Sequence, residues 1–292
     1  MLGLGLAIRI NKRASGGSPT PPPTRDADTT AFMTAISIPD DSTLYYSGTP
    51  QEITGEGMWD AVDALVVGLK ADSLWTGIKA LYPMIGGTAS RHERNLKNPA
   101  DTNAAHRILW GGGVTHTATG AKGNGTNGYG DCNIQPSDFA QDSLMGGFYL
   151  IRTPNFDSCQ MGAGNTGATA SRFLCGANHS TRGTLGWVNQ YGFTDTTFIT
   201  PQVGNFLIQR TPTSSGAELY LNGTFEHEIV EVLSSQVINR NVNLFCENNT
   251  SKLYYSDAEL AIAYLSSSLS SSDVTKLHNR ITTYQTGLGR NV

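Results

Sequence analysis

The chain has 292 residues, 38% hydrophobic and only 15% charged, with 33 glycines. It is long enough to bury a large core without a disulfide framework and draws its solubility from Ser, Thr, Asn and Gln. A formal net charge of −4 and a pI near 5.8 exclude a protein devoted to nucleic acid, whose backbone binding needs concentrated Lys and Arg.

The opening MLGLGLAI carries Leu2, Leu4, Leu6 and Ile8 and is followed by Arg9, Lys12 and Arg13. Its charges follow the apolar run, which is far shorter than the roughly 20 residues of a bilayer span, so it reads as neither signal peptide nor anchor and no membrane partner is expected. Residues 14–26, ASGGSPTPPPTRD, suit an extended tether. Segment 1–26 is therefore expected to be an assembly arm and linker, with those seven apolar and basic residues as its contacts.

From Ala27 the texture is helical. Thr29 or Thr30 can cap a short helix carrying Phe32, Met33 and Ile36, stopped by Pro39. Trp59, Val62, Leu65, Val66 and Leu69 share one face of a helix over 56–70. A second helix is expected from Asp72 or Ser73 through Leu74, Trp75, Ile78 and Leu81 to Pro83. Together 27–99 is read as a small helical subdomain packed on the rest of the chain.

Beyond Arg107 short β-prone runs alternate with Gly, Asn, Thr and Pro: 108–110, 147–152, 172–175, 185–189, 197–200, 206–209 and 219–221. Asn222-Gly223 after one of them marks a tight hairpin, with a return strand through Ile229–Leu233. Segments 242–246 and 253–255 can add strands, and 259–265 fits a strand or a short helix. At the end, Leu269 and Val274 staple a helix around Ser270, Asp273 completes a capping box, and Gly287 and Gly289 stop it. Segment 100–292 thus reads as a β-sandwich with a C-terminal helix.

Two blocks carry a family resemblance. The C-terminal block holds Tyr255–Asp257, Leu260–Leu265, Leu269–Ser270 and Leu288–Arg290; the upstream block holds Leu65–Lys70, Leu74–Trp75, Lys79–Pro83, Gly86–Ala89, Asn95–Pro99 and the glycine-rich stretch around NGTNGYGD. They resemble a family of phage and prophage structural proteins with a concanavalin A-like, laminin-G-like jelly roll. The resemblance implies a mainly β fold, a concanavalin A-like jelly-roll sandwich with N-terminal helices and a C-terminal helix. It also implies a bacteriophage virion structural protein: a head decoration, fibre or tail component, assembled in the bacterial host cytoplasm and located in the virion. The expected partners are other virion proteins through the arm and further copies of the chain; a trimer is one form, although no long heptad array dictates it.

Candidate chemistry is sparse. Cys132, Cys159, Cys175 and Cys246 are irregularly spaced without a CxxC pair, so free core thiols are expected, with no metal site and no cofactor. Glu226, Glu228 and Glu231 form the compact acidic set; a regular strand would place the first two on one face, but the spacing departs from the acid pattern that jelly-roll glucanases resemble. No catalytic residue is assigned, a non-enzymatic protein is expected, and a glycoside hydrolase ranks last. The second reading is a host-glycan-binding module of a tail or fibre, with Trp187, Asn189 and Tyr191, beside Phe193, able to stack and hydrogen-bond a sugar.

Overall fold

The computed structural model describes residues 24–47, 52–155, 158–165, 171–179, 183–190, 202–230 and 238–292. The chain opens with α1 (Ala27–Ala35), capped by Asp26, not by the expected Thr29 or Thr30; Thr29 is buried. Strands β1 (Leu44–Ser47) and β2 (Glu52–Thr54) form a small antiparallel pair. Helix α2 (Gly55–Ala71) then starts at Thr54, whose hydroxyl accepts from the Gly57 amide at 3.1 Å.

The second expected helix is replaced by a 3₁₀ turn, Trp75–Gly77, and strand β3 (Ile78–Tyr82). The cause lies at the end of α2. Ser73 adopts φ 62° and the Leu74 amide donates back to the Leu69 carbonyl at 2.9 Å, a Schellman stop that turns the chain away from the helix axis. The apolar residues beyond it then find a sheet partner, which overrides their helical spacing.

The short helix α3 (Ala89–His92) leads to β4 (Leu109–Gly111), β5 (Thr115–Thr117), β6 (Gly120–Lys122) and β7 (Tyr129–Asp131). Next come the long central strands: β8 (Leu144–Arg152), β9 (Met161–Gly164), β10 (Arg172–His179), β11 (Gly183–Gln190), β12 (Gly204–Arg210), β13 (Gly216–Leu221) and β14 (Thr224–Val230). Asn222 and Gly223, at φ 50° and 77°, make the predicted two-residue hairpin between β13 and β14. The chain closes with β15 (Asn243–Leu244), β16 (Glu247–Asn248), β17 (Lys252–Leu253), β18 (Glu259–Ser266) and α4 (Ser271–Gly287). Segment 259–265 is therefore a strand. The expected strand at 197–200 lies outside the described residues.

The first sheet runs β14-β13-β12-β8-β18-β6-β5, with β3 paired to β18; the second runs β11-β10-β9-β15-β7-β4, with β16 and β17 attached. Between them lies a core that includes Phe148, Phe206, Leu260 and Leu265 from the first sheet and Met161, Phe173, Cys175 and Leu244 from the second. A second core lies on the other face of the first sheet, where Met145, Tyr149, Leu207, Tyr220 and Ile262 meet Phe32, Val62, Leu65, Val66, Leu277 and Ile281 of the helices. The molecule is a mainly β, concanavalin A-like jelly-roll sandwich with N-terminal helices and a C-terminal helix, layered helices on sheet on sheet. All four cysteines are buried and free.

The two sequence blocks meet in space. Helix α4 ends in its own Schellman turn, with Gly289 at φ 63° and the Arg290 amide donating to the Gln285 carbonyl at 2.8 Å. The Arg290 guanidinium is thereby swung inward, where it donates to Gln285 Oε1 and to the carbonyls of Met84, Thr119, Pro83 and Ala261 at 3.0–3.4 Å. Upstream, buried Asn95 accepts from the amides of Leu81 and Lys97 and donates to the carbonyls of Lys79 and Ala105, all within 3.1 Å. The residues that carry the resemblance are thus joints of the fold.

Candidate functional site

The site begins with Gln209 on β12, a fully buried amide. Its Nε2 donates to Glu218 Oε2 at 2.8 Å and to the Leu269 carbonyl at 3.0 Å, while its Oε1 accepts from the Leu269 amide at 2.9 Å. One side chain therefore ties a strand of the first sheet to the segment that enters α4. Between those two walls and the Thr211–Ser214 turn lies an open groove of about 440 Å³, lined by Thr211, Pro212, Thr213, Glu218, Tyr220 and Ser268–Ser271.

Each wall is held by local hydrogen bonding. The turn is closed reciprocally: the Thr211 amide donates to Ser214 Oγ and the Ser214 amide to Thr211 Oγ1, both at 3.0 Å. Ser268 is pinned to Ser143 through the two hydroxyls at 3.0 Å. Ser270 caps α4, its Oγ accepting from the Asp273 amide at 3.2 Å, but Asp273 does not complete the expected box: its Oδ2 accepts from the Ser270 hydroxyl at 2.8 Å instead of from the Ser270 backbone amide.

Glu218 and Tyr220 alternate with Ala217 and Leu221, which face the inter-sheet core, so both point to the helix-bearing face. Tyr220 donates its hydroxyl to Glu218 Oε2 at 3.0 Å. Burial, then the bond to Glu218, pushes the phenol up to about 12, which keeps it a donor at neutral pH. Directly across the hairpin Glu228 is the register partner of Glu218, a position in which side chains start about 5 Å apart. Glu228 Oε1 accepts from Ser215 Oγ and the Ser215 amide, both at 2.7 Å, and from the Gly216 amide at 3.1 Å. Those bonds, the Ser215 hydroxyl first, hold its carboxyl below the usual range.

A β-bulge between Leu219 and Tyr220 changes the count of the acidic strand: Leu219 pairs with His227, but Tyr220 pairs with Phe225. Glu226 is the extra residue, and the regular alternation that would join it to Glu228 does not hold. Instead Phe225 sits edge-on to Tyr220 at 5.6 Å and is 50% exposed. The acidic pair of this face is Glu218 with Glu228, flanked by an exposed ring. Glu231 lies outside the described residues.

The sugar-binding candidates fall elsewhere. Trp187 and Asn189 lie on β11, at the edge of the second sheet, where Trp187 pairs with Leu174; their side chains and the whole of Tyr191 and Phe193 are outside the described residues. The same holds for the arm residues Leu2, Leu4, Leu6, Ile8, Arg9, Lys12 and Arg13. Sequence reasoning missed Gln209, Glu218, Tyr220 and Phe225. The hairpin at Asn222-Gly223 was a usable signal, since counting back from it pairs Glu218 with the acidic return strand once one bulge is allowed.

Among the described residues no group of three or more His, Cys, Asp and Glu side chains is placed to hold a metal. No helix among them is long and apolar enough to cross a membrane.

No protein-family model and no curated protein matches the sequence. Solved structures do resemble the chain. A mutant Trypanosoma rangeli sialidase displaying trans-sialidase activity aligns at 12% identity and TM-score 0.48, covering 82% of this chain and 40% of the sialidase. Domain 4 of a GH43 extracellular arabinanase from Geobacillus stearothermophilus, solved with arabinotriose, aligns at 12% identity and TM-score 0.46, covering 69% of this chain and 98% of that domain. The chain thus spans about two fifths of the length of the sialidase. These neighbours belong to glycoside hydrolases, and the expectation of a non-enzymatic protein is corrected on that finding. At such identity the likeness concerns the fold and assigns no chemistry to this chain.

Proposed function

We propose that the chain is a bacteriophage virion component whose sandwich recognises a host-surface glycan through the groove between the Thr211–Ser214 turn, β13 and the start of α4. The observation that carries the glycan reading is the groove's composition. A fixed carboxylate, Glu218, and the hydroxyls of Thr211, Thr213, Ser268, Ser270 and Ser271 line it. Phe225 presents a half-exposed ring beside Tyr220. Sugars need both halves of this arrangement: acceptors and donors for their hydroxyls, and an aromatic face for the apolar side of the ring. Glu218 Oε2 is engaged by Gln209 and Tyr220, which fixes the carboxylate in the groove wall.

The virion setting is supported by the paired sequence blocks, which meet where Arg290 donates to the Pro83 carbonyl. An array of bacterial surface polysaccharides tests the recognition, with reducing-end release read from the same wells. Saturable, selective retention that falls at least about tenfold in Glu218→Gln is the expected result, one factor of ten being ~1.4 kcal/mol. No selective retention by the wild-type chain contradicts the proposal. Release of reducing ends lost in Glu218→Gln would make the same groove a hydrolytic site.

A further inference from the structure

We propose that His92 and His116 form an acid-released latch that holds the β5–β6 hairpin against α3 at neutral pH and lets it go when His116 takes up a second proton. The two rings meet Nδ1 to Nδ1 at 3.1 Å and lie edge to face with centroids 5.1 Å apart. That contact requires one Nδ1 to carry a hydrogen and the other a lone pair, so the accepting ring is a neutral imidazole whose own proton sits on Nε2. His92 is 0% exposed, and its Nε2 is buried with no hydrogen-bond partner. An unpaired lone pair there is less unfavourable than an unpaired N–H, which makes His92 the Nδ1–H donor and His116 the acceptor.

Neither ring has room for another proton. On His116 it would occupy the Nδ1 that receives the His92 hydrogen, turning a hydrogen bond into two opposed donors. On His92 it would fall on Nε2, in a pocket without an acceptor. The surrounding charges add to the refusal: Arg91 from α3 itself and the buried Arg290 from the C-terminal tail are both cations acting on His92. Glu259 of β18, the acid at this hairpin, is held by the hydroxyls of Thr119 and Thr117 at 2.6 and 3.5 Å. Burial first, then His116 and the two arginines, holds His92 well below the usual imidazole value, and burial lowers His116.

The element under the latch is held along one edge only. Strand β5 ends the first sheet's strand order and pairs with β6 through only Thr115, His116 and Thr117. His116 also packs edge-on against Trp110, with centroids 4.8 Å apart, and Trp110 Nε1 donates to the Ala89 carbonyl of α3 at 3.1 Å. Loss of the imidazole contact therefore loosens α3, Trp110 and the hairpin together. The sign is set by the direction of both shifts. The stabilisation is whole above the unfolded value of about 6.5 and is lost as pH falls through the depressed folded values.

Hydrogen-exchange protection factors of the full chain at pH 7.5 and pH 5.0 test the latch. In the wild type, protection in residues 86–93 and 113–122 should fall about tenfold or more at the lower pH while β8 and β12 hold theirs. His116→Gln supplies a carbonyl that accepts the His92 hydrogen but does not titrate, and it should lose markedly less protection at pH 5.0 than the wild type, the remaining loss coming from buried His92. Equal protection at both values in the wild type, or equal acid sensitivity in His116→Gln, overturns the proposal. A histidine NMR titration of the wild type gives an independent reading: two imidazoles titrating separately near 6.5 would overturn it as well.

Discussion

Single side chains at the joints of this fold satisfy several backbone groups at once, and that concentration makes their removal expensive. Asn95 is the clearest case, because its amide completes four hydrogen bonds with the backbone of Lys79, Leu81, Lys97 and Ala105. Asn95→Ala should lower unfolding free energy by about 3 kcal/mol, measured by urea denaturation with an unchanged m value, since buried groups left unpaired cost about 1–3 kcal/mol each and water can reach some of them. Asn95 stood in the sequence within a recognisable block, yet its role was not legible there: its partners lie 2 to 16 positions away and converge only when β3 forms. The four buried cysteines were easier, because spacing alone argued against pairing and burial followed from their softness. The groove residues were hardest. Glu218 gains its meaning from Gln209, nine residues earlier, and from Leu269, sixty residues beyond Gln209.

At the scale of elements, the helices announced themselves by periodicity and the strands by their punctuation, but the boundary after α2 shows the limit of local pattern. Leu74, Ile78 and Leu81 fit a helical stripe as well as a strand; the left-handed Ser73 and the pairing of β3 with β18 decide the outcome. Helix ends obey the same physics at the C-terminus, where Gly289 occupies a positive φ. Gly289→Ala should destabilise the protein by about 1 kcal/mol through the left-handed penalty alone. Thr54→Ala should cost a similar amount, about 1 kcal/mol, because it removes the acceptor of the Gly57 amide at the start of α2. Thermal melts of the two single variants check both. The bulge in the β13–β14 hairpin escaped the sequence because Glu226 and Glu228 suit a regular strand equally well, and only the Tyr220–Phe225 pairing exposes the inserted residue.

Across the whole molecule, the layers are stitched by the C-terminal residues. Arg290 reaches carbonyls on the segment after β3, on the β5–β6 hairpin and on β18. Arg290→Met should therefore destabilise all three together, by on the order of 3 kcal/mol or more, as a loss of cooperative stability in urea. The far end of the chain is predicted to behave in the opposite way. Deletion of residues 1–23 keeps Arg25, whose guanidinium pairs with Asp40 and Asp60, and Asp26, which caps α1 and pairs with Lys70. The truncated protein should melt within about 1 °C of the full chain, a stability change of only a few tenths of a kcal/mol. Its occupancy in assembled particles should nevertheless fall if the arm makes the particle contacts. The central claim is recognition of a glycan by the groove, and calorimetric titration of the best-retained array glycan against wild type, Glu218→Gln and Phe225→Ala tests it most directly. Both variants should bind at least about tenfold more weakly with unchanged melting temperatures; wild-type affinity in both would contradict it.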